Sequence, residues 1–157
     1  MAKMIFVNLP VADVERATAF YQAIGATKDE RFSQAGAGNA VVFSDTITFM
    51  LLSHGFFRTF TPKTIPDARS TAQVLICLSE DSRDAVEATL AKAVAAGGTP
   101  DPTPRQEMSD YMYGRSFEDL DGHIVEIMWM DVDKAMAAWS SSPEPVTSAA
   151  AAARQAA

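Results

Sequence analysis

The sequence predicts an α+β domain of two βαβββ modules whose strands form a curved mixed sheet. Three observations lead there. Extended apolar runs and helical stretches follow one another in the same order in both halves. Landmarks in the halves keep a nearly constant spacing: Leu9 answers to Leu78, Gly25 to Gly97 or Gly98, and Phe43 to Phe117, at offsets of 69, 72 or 73, and 74 residues. The 157 residues are 48% hydrophobic, enough for one core shared by two small modules. The first two suggest an internal duplication, against chance similarity between two βα units, and the order of elements puts the helices outside a curved sheet.

Each element follows from local chemistry. Ile5 to Leu9 is an extended apolar run that Pro10 stops. Asp13 can cap a helix over Val14 to Ile24, in which Ala17, Phe20, Tyr21 and Ile24 fall on one stripe and Gly25 ends it. Strand-like runs follow at Lys28 to Phe32, Ala40 to Phe43 and Ile47 to Leu52, separated by Gly36 and Gly38 and then by Ser44-Asp45. The second half repeats the order. Val74 to Leu78 is a strand, and Ser79 or Asp81 can cap a helix over Arg83 to Ala96 with Val86, Leu90, Ala93 and Val94 inward, closed by Gly97-Gly98. Proline makes the stretch from Thr99 to Thr103 an edge at best. Tyr111 to Phe117 and His123 to Met130 are strands joined through Asp119-Leu120-Asp121-Gly122.

The paired domain is expected over residues 1–131, with modules at about 3–54 and 72–131. Residues 132–157 should hold a short helix, Asp133 to Trp139, broken at Ser140-Ser141-Ser142-Pro143, and an Ala-rich tail from Glu144 without an apolar face. Trp139 would anchor the helix on the domain or on a partner subunit.

A net charge of −7 with acids spread along the chain disfavours nucleic acid and anionic membranes as partners. A single cysteine, Cys77, excludes an intrachain disulfide and a thiolate cluster, and it reads as a packing residue because no base lies near it in sequence. No apolar run reaches membrane-span length, and the N-terminus lacks a secretory signal, so a cytoplasmic protein is expected.

Two segments carry a family resemblance. Asn8-Leu9-Pro10-Val11-Ala12-Asp13 followed by Ala19-Phe20-Tyr21, and Tyr113 through Glu126 with its Asp119-Leu120-Asp121-Gly122 turn, resemble the opening strand–helix and closing hairpin of vicinal oxygen chelate proteins. These are the glyoxalase/bleomycin-resistance-like proteins, with the fold also found in dihydroxybiphenyl dioxygenase. The resemblance covers about residues 3 to 131, and the chain is similar in particular to bacterial proteins described as predicted lactoylglutathione lyases.

The resemblance implies a divalent metal, nickel or zinc, held by up to four ligands, two from each module. Carried over residue by residue, the family's glutamate falls on Glu126. The matching position in the first module is Met50, and the first-strand position is Phe6. The fifth-strand position falls near Gln73, a weak oxygen donor, with Leu75 as the competing register. One carboxylate and one amide would not hold such a metal, and His54 is the nearest candidate to supplement them.

Glu126 is thus the candidate catalytic residue and, with Gln73, a candidate metal ligand. Ile124, Glu126 and Met128 share one strand face, with His123 facing away. Phe6, Asn8, Met50, Gln73 and Met128 are candidate ligand contacts. Tyr113 and Arg115 share a face of the paired strand, where Arg115 would clamp a ligand's carboxylate or phosphate or pair internally with Glu126. Phe56, Phe57 and Phe60, near Arg58 and Lys63, would form either a lid or a plug. The leading expectation is a small-molecule-binding protein with a degenerate metal site and no cofactor. A metal-dependent lactoylglutathione lyase-like lyase or isomerase and an antibiotic-sequestering protein are the rivals. A homodimer is expected, because a half-closed curved sheet leaves apolar edges to cover.

Overall fold

The computed structural model describes residues 3–108 and 110–141, so the Ala-rich stretch from Glu144 lies outside the described residues. The first module runs β1 (Ile5–Val11), α1 (Val14–Ala23), β2 (Thr27–Gln34), β3 (Gly38–Ser44) and β4 (Ile47–Ser53), followed by a one-turn helix α2 (His54–Phe57). The second runs β5 (Ile76–Ser79), α3 (Arg83–Ala95), β6 (Thr99–Pro100), β7 (Gln106–Met108), β8 (Met112–Glu118) and β9 (Ile124–Met130), and α4 (Val132–Ser141) ends the described chain.

The architecture is α+β, with the element order of a duplicated βαβββ unit. The strands form two mixed sheets, ordered β1-β4-β3-β2 and β5-β9-β8-β6, with β7 also on β8. In each sheet the first strand pairs in parallel with the last and leaves its other edge unpaired. The registers agree: Leu9 lies opposite Leu51 on β4, as Leu78 lies opposite Ile127 on β9.

One apolar cluster joins both modules. Leu9, Val11, Phe49 and Leu51 of the first sheet meet Phe117, Val125 and Ile127 of the second through Phe20 and Tyr21 of α1 and Val86 and Leu90 of α3. Helices α1 and α3 therefore pack on the shared-core side of their sheets. The ring of Phe20 lies 5.8 Å from that of Phe117 across the module boundary.

Local signals explain most element ends. The Asp13 carboxylate accepts the Arg16 amide at 3.0 Å and caps α1, and Gly25 leaves the helix at φ +114°. The cap of α3 is Ser82, which accepts the Ala85 amide, rather than Ser79 or Asp81. Val94 is 43% exposed, because Val86, Leu90 and Ala93 already fill the inward stripe. β1 continues through Pro10, since an edge strand needs no amide on its free side. β5 begins only at Ile76, which leaves Val74 and Leu75 exposed. α4 extends through Ser141, past the expected break at Ser140. Among the described residues no helix is long and apolar enough to cross a membrane.

Candidate functional site

The register fixes what stands at the four expected metal positions. Cys77 lies opposite Glu126 on β5 and β9, as Asn8 lies opposite Met50 on β1 and β4. Met50 thus holds in the first module the place that Glu126 holds in the second. The same equivalence puts Leu75, 69 residues beyond Phe6, at the fifth-strand position. Gln73 sits before the strand and is not in register for a ligand. Three of the four positions are apolar, and among the described residues no three His, Cys, Asp or Glu side chains are grouped to hold a metal ion. His54 begins α2 and lies beside His123 and Arg69 in a separate cavity, so it does not supplement Glu126. This donor set does not fit a divalent transition metal.

Glu126 has close neighbours from its own module. The Gln106 side-chain amide donates to its Oε1 at 3.4 Å. Cys77 is exposed as a residue, yet burial of its sulfur and then the Glu126 charge push the thiol pKa up. The cavity beside Cys77, Gln106, Glu126 and Met128 measures about 10 Å³, room for about one water.

Tyr113 and Arg115 lie on the opposite face of the sheet from Glu126. Antiparallel partners project to the same side, and the partner of Glu126 is Ser116, whereas Arg115 pairs with Ile127 and Tyr113 with Trp129. Arg115 points towards α3. Its Nε and Nη2 donate to the two Asp101 oxygens at 2.7 Å each, and Nη1 donates to Glu87 at 2.6 Å. Tyr113 also donates its hydroxyl to Glu87. These bonds hold Asp101 and Glu87 below the usual carboxylate range, Asp101 chiefly through Arg115 and Glu87 chiefly through Tyr113. The group is a structural clamp between β8, α3 and the chain after β6. The expected contacts of Tyr113 and Arg115 with a ligand shared by Glu126 are therefore corrected by the register.

A larger cavity, about 340 Å³, opens where the end of β1 meets the start of β9 under the linker between the modules. Asn8 and Pro10 supply the β1 side, His123 and Ile124 the β9 side, and the linker between Phe57 and Val74 the remaining wall, Gln73 included. Asn8 and Gln73 are thus brought together, while Phe6, Met50 and Glu126 are not among the residues lining it. Phe6 is 51% exposed. Phe57 faces the cavity; Phe56 stacks edge-on with Phe60 at 5.2 Å, and Phe60 is exposed.

Two joints hold this cavity in place. The His123 Nε2 lies 2.8 Å from the Pro10 carbonyl oxygen, and since a carbonyl only accepts, Nε2 carries the proton. Gly122 adopts φ +98°, and a Cβ there would lie 2.7 Å from the Arg69 amide nitrogen, so the linker backbone packs directly on a bare glycine. The Asp-Leu-Asp-Gly sequence announced that turn. Nothing periodic in the linker announced the cavity.

Comparison with known proteins follows the same lines. The family model described as Glyoxalase/Bleomycin resistance protein/Dioxygenase superfamily matches residues 3–127. No curated protein matches the chain. Among solved structures it is similar to a hypothetical protein, SA1046, from S. aureus, with TM-score 0.67, 22% identity, and coverage of 82% of this chain and 94% of that one. It is also similar to a glyoxalase/bleomycin resistance protein/dioxygenase family enzyme from Burkholderia phytofirmans PsJN, with TM-score 0.66, 20% identity and coverage of 81% and 98%. TnmS3, an antibiotic binding protein from Streptomyces sp. CB03234, has TM-score 0.56, 18% identity and coverage of 81% and 94%. At these identities the likeness shows the fold alone.

Proposed function

The chain belongs to the glyoxalase/bleomycin resistance protein/dioxygenase superfamily, and from that premise we propose that it is a metal-independent small-molecule-binding protein. The observation that carries the reading is the 340 Å³ cavity, whose mostly apolar wall is punctuated by the amides of Asn8 and Gln73. That combination gives affinity through desolvation and orientation through a few polar groups. Chemical-shift mapping with a library of small organic acids, amides and amines tests it. Shifts centred on Asn8, Gln73 and Ile124 support the reading, and shifts centred on Glu126 and Cys77 overturn it.

The rival readings draw less from the geometry. A lyase or isomerase of the lactoylglutathione lyase type needs a metal cage, and a second copy of the chain would bring the same Phe6, Met50 and Leu75. A sequestering role like that of the antibiotic-binding relative calls for aromatic walls, and among the described residues lining the cavity Phe57 is the one Phe, Tyr or Trp, with the His123 ring also in the lining.

Self-association forms part of the proposal. Ile5, Phe6 and Leu75 are about half exposed at or beside the two unpaired sheet edges, and an apolar open edge invites a second copy. Sedimentation at micromolar concentration should show a dimer that Phe6→Asp weakens. A monomeric wild-type protein would remove this part.

A further inference from the structure

We infer that the cavity's ligand is a monoanion, a small apolar carboxylate with its charged end at the linker side. This rests on the cavity being the binding site. The chain carries 20 acidic and 13 basic residues, yet none of the described residues lining the cavity is Asp or Glu. Lys63 lines it, together with Thr61, Thr64 and Thr71 on the same linker. The formal charge of the lining is thus +1, in a chain whose net charge is −7.

The arrangement of charge is consistent with a cationic rim. No carboxylate lies within ion-pair distance of the Lys63 ammonium among the described residues, as also for Lys3 and Lys92, whereas Lys28 and Lys134 are paired. Two acids, Asp67 and Asp121, line the neighbouring 170 Å³ cavity with His54 and Arg69. Both are already engaged: Asp67 accepts the Arg69 amide and the Ser70 hydroxyl, and Asp121 accepts the Ala12 amide. Leu9, Pro10, Ile65 and Ile124 add hydrocarbon to the same lining, beside the uncharged amides of Asn8 and Gln73. A lining that offers one ammonium, several hydroxyls and aliphatic surface, and no acid, matches a carboxylate carrying a hydrocarbon body. An amine would meet the lysine's charge, and a dianion would bring more charge than one lysine can balance.

The test uses three isosteric probes on the full chain: 4-phenylbutyrate, 4-phenylbutanamide and 4-phenylbutylamine, titrated at low and moderate ionic strength. The acid should bind about fivefold or more tighter than the amide at low salt, with the margin shrinking as salt rises. Lys63→Met should abolish the acid's margin over the amide, and Lys63→Arg should keep it. Equal binding of acid and amide, or tightest binding of the amine, overturns the inference while leaving the cavity reading intact. Failure of all three probes at millimolar concentration overturns both.

Discussion

The Tyr21 hydroxyl donates to the Asp119 Oδ2 at 2.8 Å, and both residues are buried. The bond ties the first helix to the turn before the last strand, 98 positions away. The other Asp119 oxygen accepts the amides of Asp121 and His123, so one carboxylate orders the turn and fastens the modules.

Replacing Tyr21 with Phe leaves a buried carboxylate oxygen without its donor. The expected cost is about 1–3 kcal/mol of stability, measured by denaturant unfolding. Burial, and then the Asp119 charge, push the Tyr21 pKa well above its ordinary value. A raised folded-state pKa gives a contribution fully present below about pH 10 and lost as pH climbs towards the folded value. The wild type should therefore lose up to about 1.4 kcal/mol per pH unit above pH 10, a slope that Tyr21→Phe removes.

The Arg115 side chain is 10% exposed and holds Asp101 and Glu87 together. Arg115→Met should destabilise by roughly 2–3 kcal/mol, since the two acids stay partly solvated once unpaired. Arg115→Lys should not restore the fork. Both carboxylates are held low, so their contribution is present above the unfolded carboxylate pKa and is lost as pH falls through the lower folded values. The acid arm of the stability curve should be shallower in Arg115→Met, while probe affinity at the cavity stays unchanged.

Cys77 should react slowly with iodoacetamide at neutral pH, because its thiolate is disfavoured by burial and by Glu126. Glu126→Gln should speed alkylation roughly threefold by removing one of the two causes. An unchanged rate would show that the carboxylate does not act on the sulfur.

Gly122→Ala meets backbone, with Arg69 N at 2.7 Å and Ala68 C at 2.9 Å. It should cost about 1–3 kcal/mol and weaken ligand binding by displacing the linker, whereas Gly36→Ala, with open space around it, should leave binding intact. Equal effects at both glycines would deny the linker's role.

Stoichiometric divalent metal is not expected in protein purified without chelators, and EDTA should leave the melting temperature unchanged. A bound ion at Glu126, found by elemental analysis and lost in Glu126→Gln, would reverse the assignment of the donor set.

How far the sequence could be read depended on the range of the interaction. The Asp13 cap, the Gly25 stop and the duplicated order of elements are local signals, and each stands in the structure. Alternation correctly put Tyr113 and Arg115 on one face of their strand, but it carries no information about the neighbouring strand's register. The pairing of Ser116 with Glu126 turned the Tyr113–Arg115 pair to the other side. Strand β7 and the continuation of β1 through Pro10 escaped for a related reason, since an edge position is set by neighbours remote in sequence. The cavity was the least legible, because its wall comes from a linker with no periodicity.

Most of that wall belongs to the connecting segment rather than to either sheet. Insertions, deletions or exchanges between positions 58 and 72 would resize the chamber and change its occupant without disturbing strand pairing, at little entropic cost per added residue. Divergence among descendants of this scaffold should therefore concentrate in that span, with chemical selectivity drifting while the frame stays constant.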